Sequence, residues 1–190
     1  MMFSLTPRKR FGAGLLGTLA LTLTLGLTSG TALAQDDGEP PQRQTKKAEA
    51  LSKPVYDKLT KAQEAIDEKD VPGARRIIDG MLADDITDFE RTNVLNFKGF
   101  IEYSSGNTDA AIRAYEQLVA IPSVEPQMRL QTIYTLAQLH ATEERYDRTI
   151  TLLNEWLAAT TNPAPEPYVL LAQAYAQTEQ FDKMIAPLDA

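Results

Sequence analysis

The stretch that decides the fold runs from residue 95 to residue 120 and reads LNFKGFIEYSSGNTDAAIRAYEQLVA. It predicts two helices, because Gly106 and Asn107 form a turn signal between two segments with helical apolar periodicity. Gly99 in the first helix and Ala111 in the second are small, so the two backbones can approach closely. Tyr115 follows Ala111 at i+4 and is placed to fill the adjacent gap. The stretch therefore predicts one tightly packed helical hairpin.

The same hairpin recurs along the chain from Leu51 onward. The small residue of each first helix returns after 37, 38 and 35 residues, at Ala62, Gly99, Ala137 and Ala172. The predicted helix pairs are 53–69 with 72–83, 90–105 with 108–121, 126–142 with 146–159, and a helix from 165 with one that begins at 181. They define four units, about 53–83, 90–121, 126–159 and 165–190, the last of them incomplete. Such a period predicts a helical repeat array.

This pattern resembles the tetratricopeptide repeat, most clearly at 168–175, where YVLLAQAY places small and aromatic residues at the expected spacing. The opening unit resembles it least and is expected to serve as a cap. The resemblance implies an all-α, right-handed solenoid of helix-turn-helix repeats over residues 51–190. A Sel1-like or otherwise divergent helical repeat is the alternative, since any solenoid of helical hairpins shows similar apolar stripes. Lys98 and Glu102 depart from the pattern, because they occupy slots that are usually large and apolar.

Residues 1–34 are typical of a cleavable signal peptide. A basic Arg8-Lys9-Arg10 segment precedes an uncharged, Leu-rich run, and Ala32-Leu33-Ala34 forms a small-x-small cleavage site. The alternative is an uncleaved anchor, because the uncharged run from 11 to 34 is long enough to span a bilayer. Residues 35–50 are polar and contain Pro, which predicts a flexible linker. We therefore expect a bacterial periplasmic protein without a membrane span after cleavage.

Composition excludes several classes of function. The 190 residues contain no Cys, so disulfides, thiolate metal sites and a Cys nucleophile are absent. The formal net charge is −7, and it is more negative without the basic N-terminal segment. Such a charge repels nucleic acid and anionic lipid surfaces. Nucleic acid is therefore not an expected partner.

The sequence offers little that could carry catalysis. His140, the only His, falls on the apolar stripe of its helix, where a packing role is expected rather than that of a general base or metal ligand. The acidic pairs Asp84/Asp85 and Glu143/Glu144 lie in predicted turns, without an apolar pocket to separate their pKa values. No phosphate-binding loop, nucleophile elbow or zinc motif occurs. We therefore expect no enzyme activity, no metal and no cofactor.

The surface expected to matter is the concave groove lined by the first helix of each unit. Its predicted residues are amides with aromatic and apolar side chains between them: Asn93, Asn96, Phe100, Tyr103, Gln131, Tyr134, Gln138, Val169, Gln173 and Gln177. Amides can pair with the backbone of an extended peptide, and aromatic side chains supply apolar anchors. The set contains no Lys or Arg, which disfavours recognition of a C-terminal carboxylate. The alternative is that these residues form ordinary solvated helix faces.

A closer resemblance concerns the family within this repeat class. The segments AAIRAYE at 110–116, TIYTLAQL at 132–139 and YVLLAQAY at 168–175 resemble secreted proteobacterial tetratricopeptide proteins that are described as components of the TonB system. The resemblance implies a periplasmic adaptor that binds an extended segment of a partner near TonB, ExbB and ExbD.

A structural role is the alternative to the adaptor. A self-associating component of envelope assembly or cell division would use the convex face or the C-terminal end of the solenoid. The last unit contains only the start of a second helix, which predicts either a longer natural chain or a partner that covers the end.

Overall fold

A computed structural model describes residues 49–185, and helices are the regular secondary structure of that part. Their order is α1 (Lys53–Asp67), α2 (Val71–Ala83), α3 (Asp88–Ser104), α4 (Thr108–Val119), α5 (Pro126–Thr142), α6 (Tyr146–Ala159), α7 (Pro165–Gln177) and α8 (Phe181–Met184). Each helix packs mainly against its neighbours in the chain. The predicted all-α solenoid of helical hairpins is therefore confirmed. Residues 1–48, with the predicted signal peptide and most of the predicted linker, lie outside the described residues.

The helix ends follow from local capping. Thr87 caps α3: its hydroxyl accepts a hydrogen bond from the Glu90 N–H at 3.2 Å, and the Glu90 carboxylate accepts one from the Thr87 N–H at 3.0 Å. This cap starts α3 at Asp88, two residues before the start predicted from its apolar pattern. The helices α1 and α4 each end two residues before their predicted ends. Apolar periodicity locates a helix, whereas its cap decides where it begins.

Glu90 also ties the first helix of one unit to the first helix of the next. It is only 5% exposed, and its other carboxylate oxygen accepts a hydrogen bond of 2.9 Å from the backbone N–H of Ser52, the N-cap residue of α1. Hydrogen bonds from Ser52 and then Thr87 lower the pKa of Glu90 to about 2. One carboxylate therefore positions the starts of α1 and α3 together.

The core forms two apolar clusters that meet at α3. The first contains Val94 and Ile101 of α3 with buried residues of α1 and α2. The second contains Leu95 of α3 with buried residues of α4 to α7. Because α3 contributes to both clusters, it is the central helix of the described part. Gly99 lies on this helix, and a Cβ at that position would stand only 2.4 Å from the Tyr115 ring. The predicted close approach of α3 and α4 is confirmed.

Lys98 and Glu102, the departures from the repeat pattern, are paired with the preceding unit. The Arg75 guanidinium donates two hydrogen bonds of 2.8 Å to the Glu102 carboxylate, which is almost fully buried. Lys98 donates to Asp79 at 2.6 Å. Arg75 and Asp79 stand four residues apart on α2, as Lys98 and Glu102 do on α3. Opposite charges therefore face each other at both positions. Two ion pairs between α2 and α3 therefore take the place of the apolar contacts that the repeat pattern predicts at these positions.

Candidate peptide-binding groove

The ten predicted groove residues all lie on the first helices of the units. Asn93, Asn96, Phe100 and Tyr103 are on α3, Gln131, Tyr134 and Gln138 on α5, and Val169, Gln173 and Gln177 on α7. None of them belongs to the buried core: Asn93 and Tyr134 are partly buried, and the other eight are exposed. These side chains are therefore available to a partner, although their joint role in binding stays a prediction.

The residues fall into rows when each is counted from the small residue of its helix. Asn96, Tyr134 and Val169 stand three residues before it, whereas Phe100, Gln138 and Gln173 stand one residue after it. Positions four residues apart share one face of a helix. Because the units repeat, each row runs across α3, α5 and α7. We call the groove the surface formed by these rows and by the rows six residues before and four and five residues after the small residue, on the first helices α1, α3, α5 and α7.

Phe100 is an ordered apolar element of the groove rather than a loose side chain. Its ring stacks on that of Phe97 with centroids 6.5 Å apart and an interplanar angle of 18°. Phe97 packs in turn against the first core cluster. Phe100 nevertheless leaves 49% of its surface exposed, and Tyr103 on the next turn leaves 44%. A ring held on the core and open to solvent is a suitable apolar anchor point.

Tyr134 lies where α5 packs against α6. Its ring, on α5, is 5.1 Å from the Trp156 ring on α6, at an interplanar angle of 33°. Burial raises the pKa of Tyr134, the negative charge of Glu166 on α7 raises it further, and the neighbouring Gln138 side chain opposes the change. The Glu166 carboxylate, in the first turn of α7, is thus near enough to act on the phenol through its charge. The structure brings two aromatic rings into contact, and Gln138 and Glu166 act on the phenol of one of them. We call these four residues the Tyr134 junction.

The amide of Asn93 is only half available. Its Nδ2 donates a 2.8 Å hydrogen bond to the carbonyl oxygen of Phe89 on the same helix, which leaves the side-chain oxygen to accept from a ligand. Asn96, Gln131, Gln173 and Gln177 are exposed. Most groove amides can therefore reorient to match a peptide backbone.

Three residues were missed by the sequence reasoning. Tyr56 on α1 and Glu166 on α7 stand six residues before the small residue, the register of Asn93 and Gln131, and that spacing could have identified both. Tyr56 is 59% exposed, so it extends the set of exposed aromatic side chains to the first unit. Trp156 belongs to the second helix of its unit, where its spacing from Leu153 predicts a packing role. Its contact with Tyr134 has no signal in the spacing.

His140 lies on α5, among helices whose apolar side chains form the second core cluster, and it does not belong to the groove. It is 5% exposed, and neither ring nitrogen has a hydrogen-bond partner in the described part of the chain. Burial lowers its pKa, which outweighs the opposite effect of the Glu116 carboxylate 3.9 Å away. The ring is therefore neutral at pH 7, and its contact with Glu116 is not an ion pair. The predicted packing position is where the structure places it.

Between residues 49 and 185, no group of three or more His, Asp or Glu side chains is arranged to hold a metal ion. In the same range, no helix has the length and apolarity to cross a bilayer. The acidic pair at Asp84 and Asp85 is exposed.

Comparison with known proteins bears on the fold. No protein-family model matches this chain, and no curated protein matches it. Among solved structures, the chain is similar to a crystal structure of MamA protein, with a TM-score of 0.55 and 16% identity over 71% of this chain and 69% of that one. A second MamA crystal structure gives a TM-score of 0.50 and 19% identity over 66% and 69%.

A further similarity points to the same class of fold. A crystal structure described as a Podosopora anserina putative kinesin light chain with nearly identical TPR-like repeats gives a TM-score of 0.53 and 18% identity, over 72% of both chains. A single-residue variant of that protein gives 0.55 and 18% over 74% of both. At these identities the likeness concerns the fold alone. This chain therefore has the fold of a tetratricopeptide-like repeat protein.

Proposed function

We propose that this protein is a non-enzymatic scaffold that binds an extended segment of a partner protein in its groove. The observation that carries the proposal is the exposed Phe100 ring, stacked on Phe97 and flanked by rows of exposed amides. A fixed apolar anchor with adaptable backbone-pairing groups around it suits an extended peptide. Similar helical-repeat solenoids support the general role of a protein-binding scaffold.

The proposal extends to location and partner. The signal-like residues 1–34 support export to the bacterial periplasm, and the linker-like residues that follow support a tethered or freely diffusing domain. The resemblance of 110–116, 132–139 and 168–175 to secreted TonB-associated repeat proteins supports a partner in the TonB, ExbB and ExbD machinery. Both statements rest on sequence patterns.

The groove is tested by removing exposed side chains that do not support the core. We expect Phe100→Ala combined with Gln173→Ala to abolish recovery of partners in a crosslinking pull-down from a periplasmic extract. Phe181→Ala is the matched control, because Phe181 is an exposed aromatic side chain on a second helix. Partner recovery that survives the groove variant, with unchanged circular dichroism, would contradict the proposal.

The second candidate function is a self-associating structural component of the envelope. It is favoured by Phe181 and Ile185, which are 61% and 59% exposed on and just after α8. The two side chains stand four residues apart in helical backbone, so they lie on one side of it and together form a small exposed apolar surface. Light scattering over a concentration series separates the candidates, because only the second requires an assembly that grows with concentration and is lost in Phe181→Ala.

A further inference from the structure

The groove carries charge of one sign only. The groove consists of five rows across α1, α3, α5 and α7. They stand six and three residues before the small residue of each helix and one, four and five residues after it. The charged side chains in these rows are Asp67 and Glu166, one at each end. No Lys or Arg stands in any of the rows. The groove is therefore a neutral, amide-rich surface with a carboxylate at either end.

The two carboxylates differ in availability. Asp67 accepts a 2.9 Å hydrogen bond from the Gln63 amide, one turn earlier on α1. Glu166 is exposed, and within residues 49–185 no ion pair includes it. Other carboxylates of this part, such as Glu102 and Asp109, are paired with Arg side chains. Glu166 is thus the groove carboxylate with the greatest capacity for a new cationic partner.

Aromatic rings stand near Glu166 in the repeat register: Tyr134 lies one row away on the preceding first helix, and Trp156 lies on the helix between them. Tyr134 and Trp156 present two partly exposed aromatic rings 5.1 Å apart at the Tyr134 junction. Aromatic faces attract Lys and Arg side chains, Trp most strongly, and the attraction grows where water is partly excluded. A neighbouring carboxylate adds a charge-assisted hydrogen bond to the same cation. The ring faces and the carboxylate therefore favour the same kind of ligand, a Lys or Arg side chain.

We propose that the Tyr134 junction binds a Lys or Arg side chain of an extended peptide whose apolar residue rests on Phe100. The inference rests on the proposed function and deepens it by assigning a partner of basic character. Residues 49–185 contain 13 basic and 22 acidic residues, so the domain as a whole also attracts such a segment. First helices spaced by about 10 Å span about 30 Å in four units. An extended peptide of about nine residues covers that distance.

The probe for this proposal is a randomised nine-residue peptide library, selected on the full chain. We expect recovered peptides to be enriched in Lys or Arg at one position, spaced from an apolar residue. Glu166→Gln should weaken such a peptide about tenfold, the scale of a partly desolvated cation contact. It should leave a peptide with Gln in place of the basic residue unchanged. Glu155→Gln, which removes an exposed carboxylate from α6, is the matched control for bulk charge.

The outcomes separate the inference from the function it rests on. Groove-dependent peptides without basic enrichment, or basic peptides equally weakened by Glu155→Gln, would overturn the inference and leave the peptide-binding function standing. Peptides that bind equally to the Phe100→Ala, Gln173→Ala variant, or association of the chain with itself in place of any peptide, would overturn both. Loss of affinity confined to Glu166→Gln and to basic peptides supports the assignment.

Discussion

At the scale of single residues, the contact between Gly99 and Tyr115 decides how closely α3 and α4 approach. A Cβ at Gly99 would stand 2.4 to 2.7 Å from three atoms of the Tyr115 ring. Ala is the better helix former, but the ring would have to shift within a packed core. We expect Gly99→Ala to lower the free energy of unfolding by about 1–3 kcal/mol in chemical denaturation.

Gly80 is the matched control for Gly99. It lies within α2, and a Cβ there would meet nothing within 4 Å. We expect Gly80→Ala to raise the free energy of unfolding by about 0.5–1 kcal/mol, because Ala restricts the unfolded chain and favours the helix. Equal effects of the two substitutions would show that only helix propensity matters at both glycines. The close contact between Gly99 and Tyr115 would then have no effect on stability.

His140 makes stability depend on pH. Its pKa is lowered in the folded state by burial, and the charged groups that face it are Glu116 and Asp109, which oppose the shift, and Arg145 and Arg148, which reinforce it. A lowered folded pKa contributes stability above the unfolded value near 6.5, and that stability is lost as the pH falls below it. We expect this loss to reach at most about 2 kcal/mol at pH 5.

His140→Leu isolates the contribution of the imidazole, because this is the only histidine in the chain. Denaturation at pH 7.5 and pH 5 should show a smaller loss of stability in the variant than in the parent protein. Carboxylates remote from residue 140 contribute equally to both proteins and cancel in the comparison. An identical pH dependence of the two would contradict the buried, neutral state of His140.

At the scale of elements, the contact between α2 and α3 depends on the Arg75–Glu102 pair. Asn107 adds a 3.1 Å hydrogen bond to the same carboxylate, which is 6% exposed as a residue. Arg75 is about one-third exposed, so solvent weakens the pair somewhat. We expect Arg75→Met to cost about 2–3 kcal/mol of stability, because it leaves Glu102 buried without its cation.

A double-mutant cycle measures this pair. Arg75→Met with Glu102→Leu should recover most of the stability that Arg75→Met loses, since an apolar pair can replace a buried ion pair. Lys53→Met is the control, because the Lys53–Asp57 pair is exposed and should change stability by less than about 0.5 kcal/mol. Additive losses in the double variant would contradict a direct coupling between α2 and α3.

The ion pairs between α2 and α3 could not be predicted from the pattern of a single hairpin. Helix positions and the Gly99–Tyr115 contact follow from periodicity and small residues within one hairpin. Lys98 and Glu102 look like defects in that hairpin, because their partners Arg75 and Asp79 belong to the preceding unit. Comparing charges at i and i+4 on adjacent helices would have revealed the match. The cap at Thr87 was missed for a similar reason, since it lies outside the apolar pattern.

At the scale of the whole molecule, the repeat makes the fold predictable and the site less so. Each unit packs against its neighbours in the same way. The hairpin at 95–120, once it is known to recur, is therefore enough to predict the all-α solenoid. Surface rows follow from the same register, which placed all ten predicted groove residues outside the core. The Tyr134 junction did not follow, because Trp156 contacts Tyr134 from a second helix and only the packing of α6 against α5 shows it.

The groove is expected to contact another protein. The most direct test places a photoreactive amino acid at Phe100 or Gln173 of the full chain in living cells, with Phe181 and Thr151 as exposed positions on second helices. We predict adducts with a different protein from the two groove positions only. Adducts formed only at Phe181 or Thr151, or only between copies of this chain, would contradict the account.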